Sequence, residues 1–347
     1  MRISNFIKKL FLKVIFARNK TSMQDITKNN FDFIRVLLAF IVFVGHLGTL
    51  SASKELAILE NSPVEIAVFG FFIVSGFLIA RSYERTSSLS SYFKKRFSRI
   101  LPGYLLVVFL AASLLSLISC LSFSEYFSNS QVYKYLFWNS LFMNFKAPSL
   151  PCVFNNQAVN GALWTMKIEM SFYFAIPLMF LLFGKNNRYR NISLIILYFL
   201  SLIFLNFFEM KDQASIARQL PGSLCYFIGG MLVYFNFDKF IQYKNKLIII
   251  ALITVWTDLI FHIKFVSPIM ISIIVMYIVY SFKFLNNFGK YGDFTYGIYI
   301  FHFPIIRTFT SLGLFKDYNP FLMGIVCLLF VITVGVTSWH FYEKKFL

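Results

Sequence analysis

Acidic residues are scarce in this chain: 15 Asp and Glu stand against 33 Lys and Arg in 347 residues, for a formal net charge of +18. Charge of either sign is sparse, at 14% against 58% hydrophobic. A soluble domain of this size could not hide so much apolar side chain, which leaves an all-α polytopic membrane protein. The basic excess does not point to nucleic acid, because Lys and Arg sit in loops between apolar runs, as membrane orientation requires. Cysteine is sparse too. Cys120, Cys152, Cys225 and Cys327 are scattered without metal-ligand spacing, so no metal site is expected. Cys120 and Cys152 both fall toward the outer face, where a disulfide is conceivable, although nothing else in the sequence supports one. No internal repeat is visible, which weakens an inverted-repeat transporter.

What is abundant is apolar sequence in span-length runs. They fall at Phe31–Leu50, Val64–Ser82, Ile100–Leu121, Ala162–Phe183, Ile192–Phe208, Leu220–Phe235, Leu247–Phe261, Ser267–Phe282, Phe294–Ser311 and Pro320–His340. A shorter run, Val132–Phe145, reads as a re-entrant or interfacial piece. Ten spans put both termini on one side. That side carries the basic N-terminal segment and the clusters around Arg81–Arg99, Lys185–Arg190, Lys239–Lys246 and Lys344–Lys345, so it is expected to be the cytoplasm. Residues 1–30 are expected to form a basic, amphipathic cytoplasmic surface segment rather than a cleaved signal peptide. Residues 31–347 then make a single transmembrane domain.

Ionisable residues inside such spans cost roughly 2.5–3.5 kcal/mol each on insertion scales, so they mark candidate chemistry. Arg35 and His46 lie in the first span, and about 100° per residue nearly aligns them, about 16 Å apart along the axis. Asp32, three residues before Arg35, can pair with it. The bland alternatives are an arginine snorkelling to the headgroups and a histidine bonded between helices. Gly45 and Gly48 beside His46 would admit a neighbouring backbone or a ligand. Glu169 lies within GALWTMKIEMSFYF, off the face of Lys167, and needs a partner on another helix; a histidine would suit. Tyr299 and His302 share a face in YGIYIFHFPI, where Pro304 is expected to bend the helix or start a turn. In SYFKKRFSRILPGY, Arg96 and Arg99 are candidates for a specific anion, while Lys94 and Lys95 suit anionic membrane lipid. Asp258, His262 and Arg307 read as solvated or structural.

DFIRVLLAFIVFVGH resembles the Asp-x-x-Arg, ten-residue gap, His signature of the type 3 membrane acyltransferases. FGFFIVSGFLIA, FKKRFSRILPGY, NGALWTMKIEMSFY and YGIYIFHFPI follow in the family's order, and WHFYEKKFL is similar to its usual ending. LPCVFNNQAVNGALWTM resembles the subgroup that modifies O-antigen, capsule or exopolysaccharide sugars, in the form without an appended SGNH hydrolase-like domain. Phe69 departs from other subgroups, which often carry an acidic residue there. The resemblance implies an enzyme of the bacterial inner membrane with acetyl-CoA as acyl donor and a hydroxyl of a lipid-linked or surface glycan as acceptor. It implies catalytic roles for His46, Glu169 and Arg35, with Arg96, Arg99 and Arg35 holding the donor. Trp164, Tyr299 and His302 would bind substrate, and Asp32 would be a structural ion-pair partner.

On this reading Glu169 orients the His46 imidazole. His46 then either deprotonates the sugar hydroxyl or accepts the acyl group itself, and the sequence leaves both routes open. It also leaves open the acyl group, the acceptor and the oligomeric state. A second class of reading is a glycan or lipid-linked sugar transporter, since intramembrane Arg, His and Glu would suit a proton relay equally well.

Overall fold

The computed structural model describes residues 26–183, 187–261, 266–286 and 288–347. Most of the basic N-terminal segment, Lys185, His262 and Lys264 lie outside these, as do the side chains of Arg188 and Asp258. The fold is all-helical, with no strand among the described residues. The principal helices are α1 (Phe31–Leu50), α2 (Val64–Glu84), α3 (Leu89–Leu114), α4 (Phe123–Ser128), α5 (Ser130–Ser140) and α6 (Trp164–Phe183). They continue with α7 (Asn187–Glu209), α8 (Leu220–Phe235), α9 (Phe237–Phe261), α10 (Ser267–Ser281), α11 (Thr295–Ser311) and α12 (Pro320–Phe341).

Every expected apolar run is helical, but helicity and crossing are different matters. Among the described residues, six helices are long and apolar enough to cross a membrane by themselves, and up to eight if each bent pair is one span. The pairs are α8 with α9, which turn by 109°, and α10 with the short helical stretch that follows it, which turn by 74°. Four expected runs are not among the six: α8, α10 and α11 have 16, 15 and 17 residues, short of the ~20 that a 30 Å apolar layer needs, and α9, at 25 residues, enters only as the second arm of a bent pair.

Helix α2 is the hub. Its buried side chains run almost without interruption from Ala67 to Ala80, and it packs on α1, α6, α8 and α10. The α2–α8 crossing is close because a Cβ at Gly76 would strike the carbonyl of Phe227, and one at Gly230 would strike that of Ile73. Close approach of this kind holds helices together where lipid supplies no hydrophobic drive between them. Outward faces are apolar as well: Leu181, Ile196, Leu200, Ile203, Leu329 and Phe330 are all exposed. Such a belt is lipid-facing surface.

Ion pairs and hydrogen bonds pin the helix ends. Arg190 reaches Glu84 at 3.5 Å, and Tyr234 donates to the same carboxylate at 2.7 Å. Asn30 donates to the carbonyl of Phe282 at 2.7 Å, tying the start of α1 to the end of α10. Helix α5 covers most of the expected re-entrant run. It buries Val132, Tyr135 and Asn139 and exposes Tyr133 and Phe137, the two-sided character of an interfacial piece. Tyr104 from α3 fixes it by donating to the Asn139 carbonyl at 2.8 Å. The long segment after α3 is closed by the Cys120–Cys152 disulfide, with Cα atoms 5.6 Å apart. Its far end is anchored where Asn160 donates to the Ile300 carbonyl at 2.8 Å.

Candidate functional site

Helix α1 carries His46 because the chain needs small residues around it there. A Cβ at Gly48 would meet the Leu59–Glu60 backbone, and one at Gly45 the side chain of Val64. These glycines serve the turn from α1 to α2. Helix α11 lies alongside α1 and is buried along most of its length. It continues through Pro304 to Ser311, so no turn starts at the proline.

The two helices bring His46 and His302 together. His46 Nδ1 and His302 Nε2 are 2.8 Å apart, and the rings stack at 5.0 Å. His302 Nδ1 lies 2.5 Å from the carbonyl oxygen of Tyr299. That contact assigns the protons. A carbonyl only accepts, so His302 carries its hydrogen on Nδ1. The His302 side chain is 1% exposed with no carboxylate against it, where a charged ring would be costly; the neutral ring therefore presents a bare Nε2. His46 must then donate from Nδ1. Its own Nε2 is left with a lone pair, in a ring that lines an open cavity. This is the relay geometry of a base oriented by a second group, built from two imidazoles and a backbone carbonyl.

That cavity has a volume of about 200 Å³ and is lined by Val68, Phe69, Trp164, Glu65, Arg218 and Tyr299 besides His46. A smaller cavity of about 70 Å³ shares Val68 and Tyr299 with it and continues past Thr165 to Arg35, Arg99, Glu169 and Asp293. The two cavities adjoin at Val68 and Tyr299, in line as a column. Thr165 donates to the Ala162 carbonyl at 3.0 Å, so the 2.9 Å contact between the two hydroxyls has Tyr299 as donor.

At the other end of the column, Asp293 takes Arg35 at 3.1 Å and Arg99 in a still shorter contact, both on Oδ2. Burial opposes ionisation of Asp293, but the two guanidiniums outweigh it and hold the carboxyl below its usual range. Asp32 lies 3.7 Å from Arg35 and is the lesser partner. Glu169 accepts from Tyr173 at 3.1 Å and from Ser75 at 3.4 Å.

A sequence profile for an acyltransferase domain, that of the acyltransferase 3 family, matches residues 28–340. The chain belongs to the acyltransferase 3 family. It is 27% identical to an O-acetyl transferase of Shigella phage Sf6 over 341 residues, 92% of this chain and 96% of that protein. It is 24% identical to nodulation protein 10 of Rhizobium leguminosarum bv. viciae over 315 residues, 82% of this chain and 85% of that one. No solved structure matches. The chain is thus a multi-pass membrane protein of an acyltransferase family, with the helical hub and the histidine pair inside the matched region.

Within this acyltransferase fold the expected site residues divide. His46, Tyr299 and Trp164 line the cavity of about 200 Å³, called the outer one for its place in the expected topology, and Arg35, Arg99 and Glu169 line the other, inner one. His302 lies behind His46 as its hydrogen-bond partner, not on the cavity wall. Glu169 is not bonded to His46: its partners come from α2 and its own helix, and the orienting group is His302. Arg96 parts from Arg99 and donates to Ser82 at 2.7 Å. Arg307 donates to Gln157, a structural contact. Asp293, Thr165, Glu65 and Arg218 were missed. Asp293 had a signal, being an acid three residues before the YGIYIFHFPI motif in a chain with few acids to answer its intramembrane arginines.

Proposed function

We propose that this chain is an O-acetyltransferase of the bacterial inner membrane. It moves the acetyl group of acetyl-CoA, taken from the cytoplasmic side, to a hydroxyl of a lipid-linked or surface glycan such as O-antigen, capsule or exopolysaccharide. The observation that carries the reading is the His46–His302–Tyr299 carbonyl relay, which leaves Nε2 of His46 with a free lone pair in a residue that lines a cavity. The relative named an O-acetyl transferase, aligned over nearly its whole length, supports the acetyl group and the oxygen acceptor.

His46 Nε2 takes the proton of the sugar hydroxyl as that oxygen bonds to the thioester carbonyl carbon. The carbon–sulfur bond then breaks. Coenzyme A leaves as thiolate and recovers the proton from His46, so the enzyme returns to its starting state. The direct route is favoured because Nδ1 is committed to His302, which leaves His46 a single working nitrogen. An acyl-histidine would occupy that nitrogen and require another base for the sugar. The pantetheine arm enters the cavity of about 70 Å³ past Tyr299, by parting its contact with Thr165. The donor phosphates remain toward the mouth, where Arg96 and Arg81 each keep a buried Nε without a hydrogen-bond partner among the described residues. Arg35 and Arg99 share the Asp293 carboxylate, with Asp32 beside Arg35, and act as positioning groups along the column. The outlying lysines, Lys94 and Lys95, meet anionic lipid.

The test is mass spectrometry of surface polysaccharide from cells with the wild-type chain, with His46→Ala, and with neither. Wild type is expected to add the mass of one acetyl group per modified sugar, and the variant none. A modification that persists in His46→Ala, or is absent with wild type, would end this reading.

A further inference from the structure

One feature of the outer cavity has no part in the relay: an ion pair on its wall. Arg218, in the turn before α8, donates from Nε to Glu65 Oε1 at 3.0 Å. Glu65 lies in the first turn of α2. The two side chains are 40% and 38% exposed, so the pair contributes little as a staple. Its position is more informative. Both residues line the cavity that His46 and Trp164 line, and Glu65 continues with His46 into an adjoining crevice of about 460 Å³. Trp164 is half-buried at the first residue of α6. Phe69, one turn beyond Glu65, stacks on Tyr226 at 3.8 Å and gives the cavity a rigid floor.

We propose that Glu65, Arg218 and Trp164 form the acceptor subsite, and that its ligand is an uncharged pyranose ring; this rests on the acyl-transfer reading of His46. The pair sets carboxylate lone pairs beside guanidinium donors at hydrogen-bond spacing, and Arg218 has spent only Nε on Glu65. Two neighbouring sugar hydroxyls match this, one donating to Glu65 and the other accepting from Arg218. The half-buried indole of Trp164 offers a platform for the C–H side of the ring, an aromatic with one apolar face and one polar edge being suited to such a ligand. Charge decides the class. The pair sums to zero, so it favours neither an acidic sugar, which Glu65 would repel, nor an amine, which Arg218 would repel. An apolar acceptor would bury the pair without serving it.

The experiment uses purified full-length protein in detergent, with CoA release from acetyl-CoA followed by a thiol reagent and methyl hexopyranosides as acceptor probes. Glu65→Gln and Arg218→Lys are expected to raise the KM for the sugar about tenfold, the loss of one charge-assisted hydrogen bond, while the KM for acetyl-CoA shifts less than about twofold. Trp164→Leu is expected to act in the same direction and Trp164→Phe to restore most of the affinity. The charge swap Glu65→Arg with Arg218→Glu re-forms an ion pair with its ends exchanged. A mere staple would recover, whereas the subsite is expected to stay impaired. A wild-type sugar KM in both single variants, recovery in the swap, or no acceleration of the wild type by any hexopyranoside would overturn the proposal. His46→Ala that releases CoA as fast as wild type, with and without sugar, would instead strike the acyl-transfer reading itself.

Discussion

The His46–His302 relay makes a quantitative claim about a residue that need not touch either substrate. During transfer the His46 ring gains a proton, and its Nδ1–H bond to His302, 2.8 Å long in the resting site, becomes a bond from a charged donor. Such bonds are worth about 1.5–3 kcal/mol. His302→Leu removes the acceptor while keeping a buried apolar shape, so that stabilisation is missing when the charge develops. At 1.36 kcal/mol per decade, the expected fall in kcat/KM is about 10- to 150-fold. His302→Gln supplies an amide oxygen that can take the same proton, and its loss is expected to stay within about tenfold. The assay is acetyl transfer from acetyl-CoA to an acceptor sugar by purified protein, with expression and thermal unfolding measured alongside. A His302→Leu variant that folds and keeps wild-type kcat/KM would refute the relay. Equal losses in the leucine and glutamine variants would reduce His302 to a packing residue.

Asp293 should govern stability through Arg35 and Arg99, since its side chain is 17% exposed and answers both guanidiniums. Asp293→Asn is expected to lower stability by about 3–5 kcal/mol at pH 7, the cost of removing one member of a buried pair, read by thermal unfolding in detergent. The carboxyl is held below its usual range, so its contribution is present above the ordinary value of about 3.9 and lost as pH falls through the depressed one. The gap between wild type and variant should therefore close in acid; a gap that widened there would contradict the assignment. The Cys120–Cys152 bond closes a sequence separation of 32 residues, and Cys120→Ser is expected to cost about 3–4 kcal/mol. Maleimide labelling of unreduced cells should find both cysteines blocked. Free thiols there would argue against an oxidising compartment on that side.

How far the sequence could be read depended on whether a property was local. Apolar run length marked every major helix, because burial in lipid needs only composition and extent. Crossing number was less legible: the 109° turn at Asn236 between α8 and α9 depends on packing that a hydropathy run does not contain. His46, Arg35 and Glu169 stood out as polar residues where they are expensive. Their partners did not, since His302 and Asp293 lie more than 250 positions along the chain from His46 and Arg35. A carboxylate suits an imidazole as in a hydrolase triad, which is why the sequence points Glu169 toward His46. The fold instead sends it to Ser75 and Tyr173. Glu65 and Arg218 were invisible as a pair for the same reason, being ordinary charges near helix ends until the fold sets them on one wall.

The arrangement of charge also explains why the costly residues of the first span are tolerated together. Arg35 is paired at one end of the column by Asp293, and Arg218 is paired at the other by Glu65. Between them the two histidines face each other, with a backbone carbonyl and no carboxylate completing the relay. In the resting site that centre therefore carries no charge that must be buried. The one charge that appears during transfer, on His46, forms where an acceptor nitrogen is already in place. An uncharged pair flanked by ion-paired arginines keeps the desolvation cost low at rest and favours the imidazolium only as it forms. On this argument Arg35 belongs to the scaffold that sets the column, and His46 to the chemistry, although the two share one face of one helix.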